Sequence, residues 1–270
     1  MDRAFTSAPR NSRPGLAAAL WALLVVAPFA GLADRLWWLG IAIGTAIVTG
    51  VAVRFRRWPL THAGLVATLV MAVSGWGVAG PWPLPLVVAL ALYAGVVRLV
   101  PALRLSLDWA RWQTHPVDRG TRALFVVTVV VSVIALLLYA WLASPEVADT
   151  VGNLGDLPAW AVLVVGLAFV TINPAVEEAL YRGVLYRALE SATGSLRLTI
   201  TAQAIAFGAL HVAGFPGGFV GMALAGGWGA VLGLVRARTG GLRWSWWAHV
   251  ATNIVIFGAV LVLAADQGVL

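Results

Sequence analysis

Residues Ala123–Ala143 read ALFVVTVVVSVIALLLYAWLA, 21 residues without a charged side chain. A helix rises about 1.5 Å per residue, so roughly 20 apolar residues cross the ~30 Å hydrocarbon core of a bilayer. The run has that length. Its polar members, Thr128, Ser132 and Tyr139, carry only hydroxyls, and Ser or Thr can bond to the carbonyl one turn earlier. Comparable apolar runs lie on both sides. Leu16–Ala33, Leu36–Val53, Leu60–Ala79 and Leu84–Val100 come before it, and Pro158–Glu190, Leu198–Val212, Gly217–Val235 and Leu242–Ala265 come after it. The fold expected is all-α, a polytopic transmembrane bundle of about 8–9 membrane helices.

Composition points the same way. The chain is 61% hydrophobic and 11% charged, with a mean hydropathy of +0.90, whereas soluble domains carry about 25% charged residues. The net charge of +7 comes entirely from arginine among the basic residues. A soluble chain with that balance would suggest nucleic acid. Here the arginines fall between apolar runs, where lipid headgroups receive them, so the partner expected is membrane lipid and not nucleic acid. The absence of cysteine removes disulfide frameworks, thiolate metal sites and a thiol nucleophile.

Arginine placement predicts the topology. Arg3, Arg10 and Arg13 precede the first run, Arg54, Arg56 and Arg57 follow the second, and Arg98, Arg104, Arg111, Arg119 and Arg122 lie between the fourth and fifth. If each run crosses once, these clusters share a side. Arg35 faces the other side with Asp34, Glu146, Asp149 and Asp156. Positive charge stays in the cytoplasm, so the expectation is a multi-pass cell-membrane protein with a cytoplasmic N-terminus. The first run has the basic flank and small residues of a signal peptide, but with so many runs behind it we read a retained helix. The polar stretch Pro101–Arg122, with Trp109 and Trp112, reads as an interfacial cytoplasmic segment, and most of the 14 tryptophans fall near run ends as headgroup anchors. No internal repeat is visible. The expected organisation is N-terminal transmembrane helices over 1–157, with a cytoplasmic loop around 101–122, and a second transmembrane core over 158–270.

Ionisable residues inside apolar runs are costly and need a partner or a task. The first four runs contain almost none; the exceptions gather after residue 174. Glu177 and Glu178 point about 100° apart on a helix, and Glu178 shares a face with Arg182 in the favourable acid-before-base order. Phe207 shares a face with His211, and His249 with Asn253. Each has a bland reading: a helix-end salt bridge, a packed histidine, an interhelical hydrogen bond. Together they are three polar helices in a nearly apolar protein. At ~1.5 Å per residue, Glu178 lies about 13 Å from Arg187, His249 about 9 Å from Arg243 and His211 about 21 Å from Arg197, broadly comparable depths below the basic face.

A carboxylate beside a histidine can take a proton from water and return it to a leaving amine. A second histidine with an asparagine can donate to a developing oxyanion. The set reads as an acyl-transfer hydrolase without a Ser or Cys nucleophile. Glu177, His211 and His249 are equally the donor types that ligate Zn²⁺. The His-Glu-x-x-His motif is absent, so a metal would need ligands from three helices, and residue types alone leave both chemistries open.

Glu177-Glu178…Arg182, Phe207…His211 and His249…Asn253, with the lead-in Thr239–Ala248, resemble the CAAX prenyl protease and bacteriocin-processing (CPBP, abortive-infection) family of intramembrane endopeptidases over roughly residues 158–265. The resemblance implies a membrane-associated peptide or protein substrate, prenylated or leader-bearing, cut near its C-terminus. Glu177 and His211 would activate water, His249 and Asn253 would form the oxyanion hole, and Glu178 and Arg182 would hold the site. It leaves Zn²⁺ open, since family members are described both as metallo- and as glutamate-dependent. An idle family member serving as immunity protein or scaffold would have lost motif residues, and all are present. A proton-coupled transporter would favour two matching halves, and the polar residues here lie in one. The N-terminal runs resemble nothing further.

Overall fold

The structure is a computed structural model and describes residues 14–30, 35–75, 83–113, 115–151 and 154–269. Arg3, Arg10, Arg13 and Asp34 of the topology argument lie outside the described residues. The helices are α1 (Pro14–Ala30), α2 (Arg35–Arg54), α3 (Trp58–Gly75), α4 (Leu84–Leu99), α5 (Pro101–Leu105), α6 (Arg119–Ala143), α7 (Ala148–Val151), α8 (Ala159–Glu178), α9 (Tyr186–Thr193), α10 (Leu196–Leu210), α11 (Gly218–Thr239) and α12 (Arg243–Asp266). Among the described residues there is no strand. Among the described residues six helical runs are long and apolar enough to cross a membrane, and α1, α3 and α4 are shorter apolar helices.

The surface is that of a protein solvated by lipid. Along α6, Val126, Val127, Val130, Val131, Ile134, Leu137 and Leu138 are exposed, and Trp141 at its end is 75% exposed. A continuous apolar face of that kind in water would be an association site. The opposite side of α6, with Thr121, Thr128 and Leu136, is buried, and it packs on α11 and α12. Asp118 caps α6 by accepting from the Thr121 amide at 2.6 Å, and that bond holds its carboxyl below the ordinary range.

The N-terminal helices are not a separate layer. Ala17 and Leu20 of α1, Ala63 and Val66 of α3 and Tyr93 and Val97 of α4 share one buried cluster with Val184 and Ala188 of the C-terminal half. The Trp21 indole N–H donates to the Ala202 carbonyl of α10 at 2.7 Å. In the C-terminal half, α10 lies against α11 and α12 against α8. Glycine permits the first contact: a Cβ on Gly208 would sit 2.6 Å from the Met222 carbonyl and 3.1 Å from the Gly226 Cα.

One feature departs from the sequence reading, and a second adds to it. The run expected as one regular helix over 158–190 changes type inside the motif, with α8 passing into a π-helix over Ala179–Leu185 before α9 begins. The alternating-turn pattern of apolar residues does not register this, because i→i+5 bonding inserts a residue without interrupting the apolar sequence. The 101–122 stretch, expected as an interfacial cytoplasmic segment, also makes main-chain bonds to the C-terminal half. The Arg111 and Trp112 carbonyls accept from the Leu242 and Arg243 amides, each at 2.9 Å, and the His115 amide donates to the Thr239 carbonyl at 3.0 Å.

Candidate active site

The last turn of α8 brings in Glu177 and Glu178, both buried at 3% and 1% exposure. Pro174 precedes them inside the helix and has no N–H to donate to the preceding turn, a local weakness that neighbouring helices offset. The π-segment then carries Arg182, with its side chain fully buried. Arg182 Nη1 stands 3.2 Å from Glu178 Oε1, the ion pair that the four-residue spacing predicts. The angle is poor, and Nε, Nη1 and Nη2 all lack a hydrogen-bond partner.

α12 supplies His249, 5% exposed. Its Nδ1 lies 3.0 Å from Glu178 Oε1 and its Nε2 3.6 Å from Glu177 Oε2. Adjacent glutamates on a helix diverge too far to share one small target, but the two imidazole nitrogens point apart as well, so one ring spans both carboxylates. A carboxylate oxygen accepts, so Nδ1 carries a proton. The contact closes the depth gap that helix rise alone left between the motifs.

α10 ends at Leu210, and His211 opens a single 3₁₀ turn to Ala213. His211 is half-buried. Its Nδ1 bonds the Phe207 carbonyl, one turn earlier, at 3.0 Å. A carbonyl only accepts, so the neutral ring keeps its proton on Nδ1 and its lone pair on Nε2. Phe207, 3% exposed, is the common wall. Its ring lies 4.8 Å from that of His211, 6.0 Å from His249 and 5.1 Å from Tyr181, with the Arg182 guanidinium 4.1 Å above it. A guanidinium over an aromatic face gains attraction from the ring quadrupole, which suits a cation with imperfect hydrogen bonds. Asn253, one turn beyond His249, is buried, and its Nδ2 has no partner.

The structure therefore brings Glu177, Glu178, Arg182, Phe207, His211 and His249 into one cluster and places Asn253 a turn further along the face of His249. Sequence reasoning missed several neighbours. Asn173, one turn before Glu177, is buried with a partnerless Oδ1. Ser245, one turn before His249, is fully buried, and its hydroxyl donates to the Leu242 carbonyl at 3.0 Å. Both were detectable, since they extend the polar stripes Asn173–Glu177 and Ser245–His249–Asn253 at four-residue spacing. Trp228, packed 5.5 Å from His249, and Arg236, whose Nε donates to the Arg182 carbonyl at 3.2 Å, carry no such signal in sequence.

Of the expected Zn²⁺ donor set, Glu177 and His249 stand together, Oε2 3.6 Å from Nε2, while the Nδ1 atoms of His211 and His249 bond a carbonyl and a carboxylate and leave each Nε2 for another partner. Among the described residues no three His, Asp or Glu side chains are gathered as ligands. What the cluster offers is acid–base and hydrogen-bonding chemistry: a buried carboxylate with a free oxygen, an imidazole with a defined lone pair, and a buried amide donor.

Residues 158–255 match the family described as Type II CAAX prenyl endopeptidase Rce1-like. That span contains every motif residue above and bears out the family resemblance read from them. No curated protein matches the chain, and no solved structure does.

Proposed function

From the match of residues 158–255 to the type II CAAX prenyl endopeptidase Rce1-like family, we propose that this chain is an intramembrane endopeptidase. Its substrate is a membrane-associated peptide or protein, prenylated or leader-bearing, cut near its C-terminus. The observation that carries the reading is two unsatisfied buried groups of opposite kind: Glu177 Oε2 as acceptor in the cluster, and Asn253 Nδ2 as donor one turn beyond His249. Buried polar atoms without partners are rare and call for a reason. A substrate carbonyl and a water molecule supply one.

In the proposed reaction, Glu177, assisted by the Nε2 lone pair of His211, takes a proton from water as the oxygen adds to the scissile carbonyl carbon. The resulting oxyanion accepts from Asn253 Nδ2 and from His249 in its imidazolium form. Glu178 orients that ring and, with Glu177, balances its charge, a role carboxylates play for histidines in other hydrolases. Arg182 balances Glu178. The proton held on Glu177 then passes to the amine nitrogen as the C–N bond breaks. The mechanism uses no step on a metal ion. Burial among helices excludes bulk water, which strengthens each of these interactions.

The test is cleavage by the purified protein in lipid nanodiscs, followed by mass spectrometry, of a C-terminally prenylated peptide and its unprenylated twin, with metal content measured alongside. Wild-type cleavage lost in Glu177→Gln is the result expected. Cleavage by Glu177→Gln at the native rate overturns the assignment of the base, and stoichiometric zinc that is required for turnover overturns the water-activation scheme.

A further inference from the structure

The segment between α5 and α6 touches two of the three motif-bearing helices at once. On one side Trp109 covers Gly183 in the middle of the π-segment, so closely that a Cβ there would lie 2.5 Å from the indole. One turn on, the Nε of Arg187 donates to Asp108 at 2.7 Å. On the other side the Arg111 and Trp112 carbonyls cap the amides of Leu242 and Arg243, where α12 begins. α12 has no side-chain cap of its own, and first-turn amides need acceptors. The Trp112 ring lies 5.7 Å from that of Trp246. Gly241 meets the Trp112 carbonyl so closely that no side chain fits there.

The strap is itself anchored by a chain of buried polar groups in the N-terminal half. The Trp109 indole N–H can only donate, and it does so to the Tyr93 hydroxyl at 2.8 Å. The Tyr93 O–H is then free to donate to His62 Nδ1, 2.7 Å away. The neutral His62 ring carries its proton on Nε2, which lies 3.0 Å from Ser106 Oγ. Ser106 in turn donates to the Ala102 carbonyl at 2.8 Å. Every donor in the series meets an acceptor, with His62 fully buried and Tyr93 4% exposed. A satisfied buried network of this kind fixes one geometry.

We propose that residues 108–112, locked by Trp109, Tyr93 and His62, form a positioning clamp that sets the spacing between the Glu177–Glu178 turn and His249. Glu177 and Glu178 sit six and five residues before Gly183, and His249 six residues after Arg243, so the strap holds both of these helices within two turns of the site. The N-terminal helices thereby acquire a task in the site without contributing a reacting atom. The catalytic half of this proposal rests on the peptidase reading above; the mechanical half does not.

The experiment uses the full chain in nanodiscs, with Tyr93→Phe to cut the hydrogen-bond series, Trp109→Phe to shorten the strap's reach, and Gly183→Ala to push the strap away from the other side. Amide hydrogen exchange at Leu242, Arg243 and 179–185 is read together with kcat and KM on the cleaved peptide. The clamp requires faster exchange at these amides in each variant. It also requires kcat to fall about tenfold or more with KM held within roughly twofold, since misplaced catalytic groups cost turnover before binding. Gly183→Ala combined with Trp109→Leu, which removes the ring the new methyl meets, is expected to recover kcat above Gly183→Ala alone; a merely destabilised fold would not recover. Native exchange and native kcat in Tyr93→Phe and Trp109→Phe overturn the clamp. If the wild type cleaves nothing, the peptidase reading fails, and the exchange measurement decides the clamp by itself.

Discussion

The Nδ1–H of His249 donates to Glu178 Oε1 across 3.0 Å, tying the start of α12 to the last turn of α8. The same carboxylate oxygen receives Arg182 at 3.2 Å. Glu178 is thus held between a histidine and an arginine, while the Oε2 of Glu177 has only the looser 3.6 Å approach of His249 Nε2. The two glutamates differ in environment although they are neighbours in the chain, and the proposed roles, base for Glu177 and orienting carboxylate for Glu178, rest on that difference.

The first prediction follows directly. Glu177→Gln keeps the shape of the side chain and removes proton acceptance, so turnover is expected to fall by roughly 10² or more, the scale of general-base catalysis. Folding, read by a thermal melt in detergent, should hold. A collapse in Glu178→Gln alone, with Glu177→Gln active, would exchange the two roles.

Arg182 and Glu178 should behave as a unit. Arg182→Met removes the guanidinium from a buried site and leaves a carboxylate uncompensated, a loss of about 3–5 kcal/mol by the usual cost of breaking a buried pair. With Glu178→Gln already in place, the same change should cost much less, because residues of one network couple. Additive losses in a double-mutant cycle would mean that the 3.2 Å contact carries no energy.

Phe207 walls the site and contributes no proton. Phe207→Leu is expected to keep appreciable activity, whereas His211→Ala is not. Phe207→Ala, which empties a buried site, should lower stability by about 3–5 kcal/mol. Equal activity loss in Phe207→Leu and His211→Ala, both folded, would contradict this division.

Gly208 lies where α10 crosses α11, with the Met222 carbonyl 2.6 Å from any added Cβ. Backbone cannot yield as a side chain tip can, so Gly208→Ala is expected to cost about 1–3 kcal/mol, the range for overpacking. Because Phe207 and His211 flank it, activity should fall with it. A native melting temperature in Gly208→Ala would argue that the helices part freely.

The arginine clusters predict the orientation. The chain has no cysteine, so Arg104→Cys and Glu146→Cys each introduce a single thiol, at the strap side of the bundle and beyond the far end of α6. An impermeant maleimide added to intact cells should label Glu146→Cys and miss Arg104→Cys. The reverse pattern would invert the topology.

Much of this was legible in the chain. The apolar runs had to become membrane helices because their backbone can be satisfied in lipid only internally, and helical spacing alone paired Glu178 with Arg182, Phe207 with His211 and His249 with Asn253. These are local consequences of period and hydropathy, which need no knowledge of neighbours. Tertiary structure decided what depends on two segments meeting. It set one imidazole between two diverging carboxylates, turned the motif helix into a π-segment, and laid an apparently interfacial loop across two helix ends through Trp109, Arg111 and Trp112. None of these leaves a periodic mark, because a hydrogen bond from a main-chain carbonyl, or an indole resting on a glycine, can be made by almost any sequence that the surrounding helices bring to the right place.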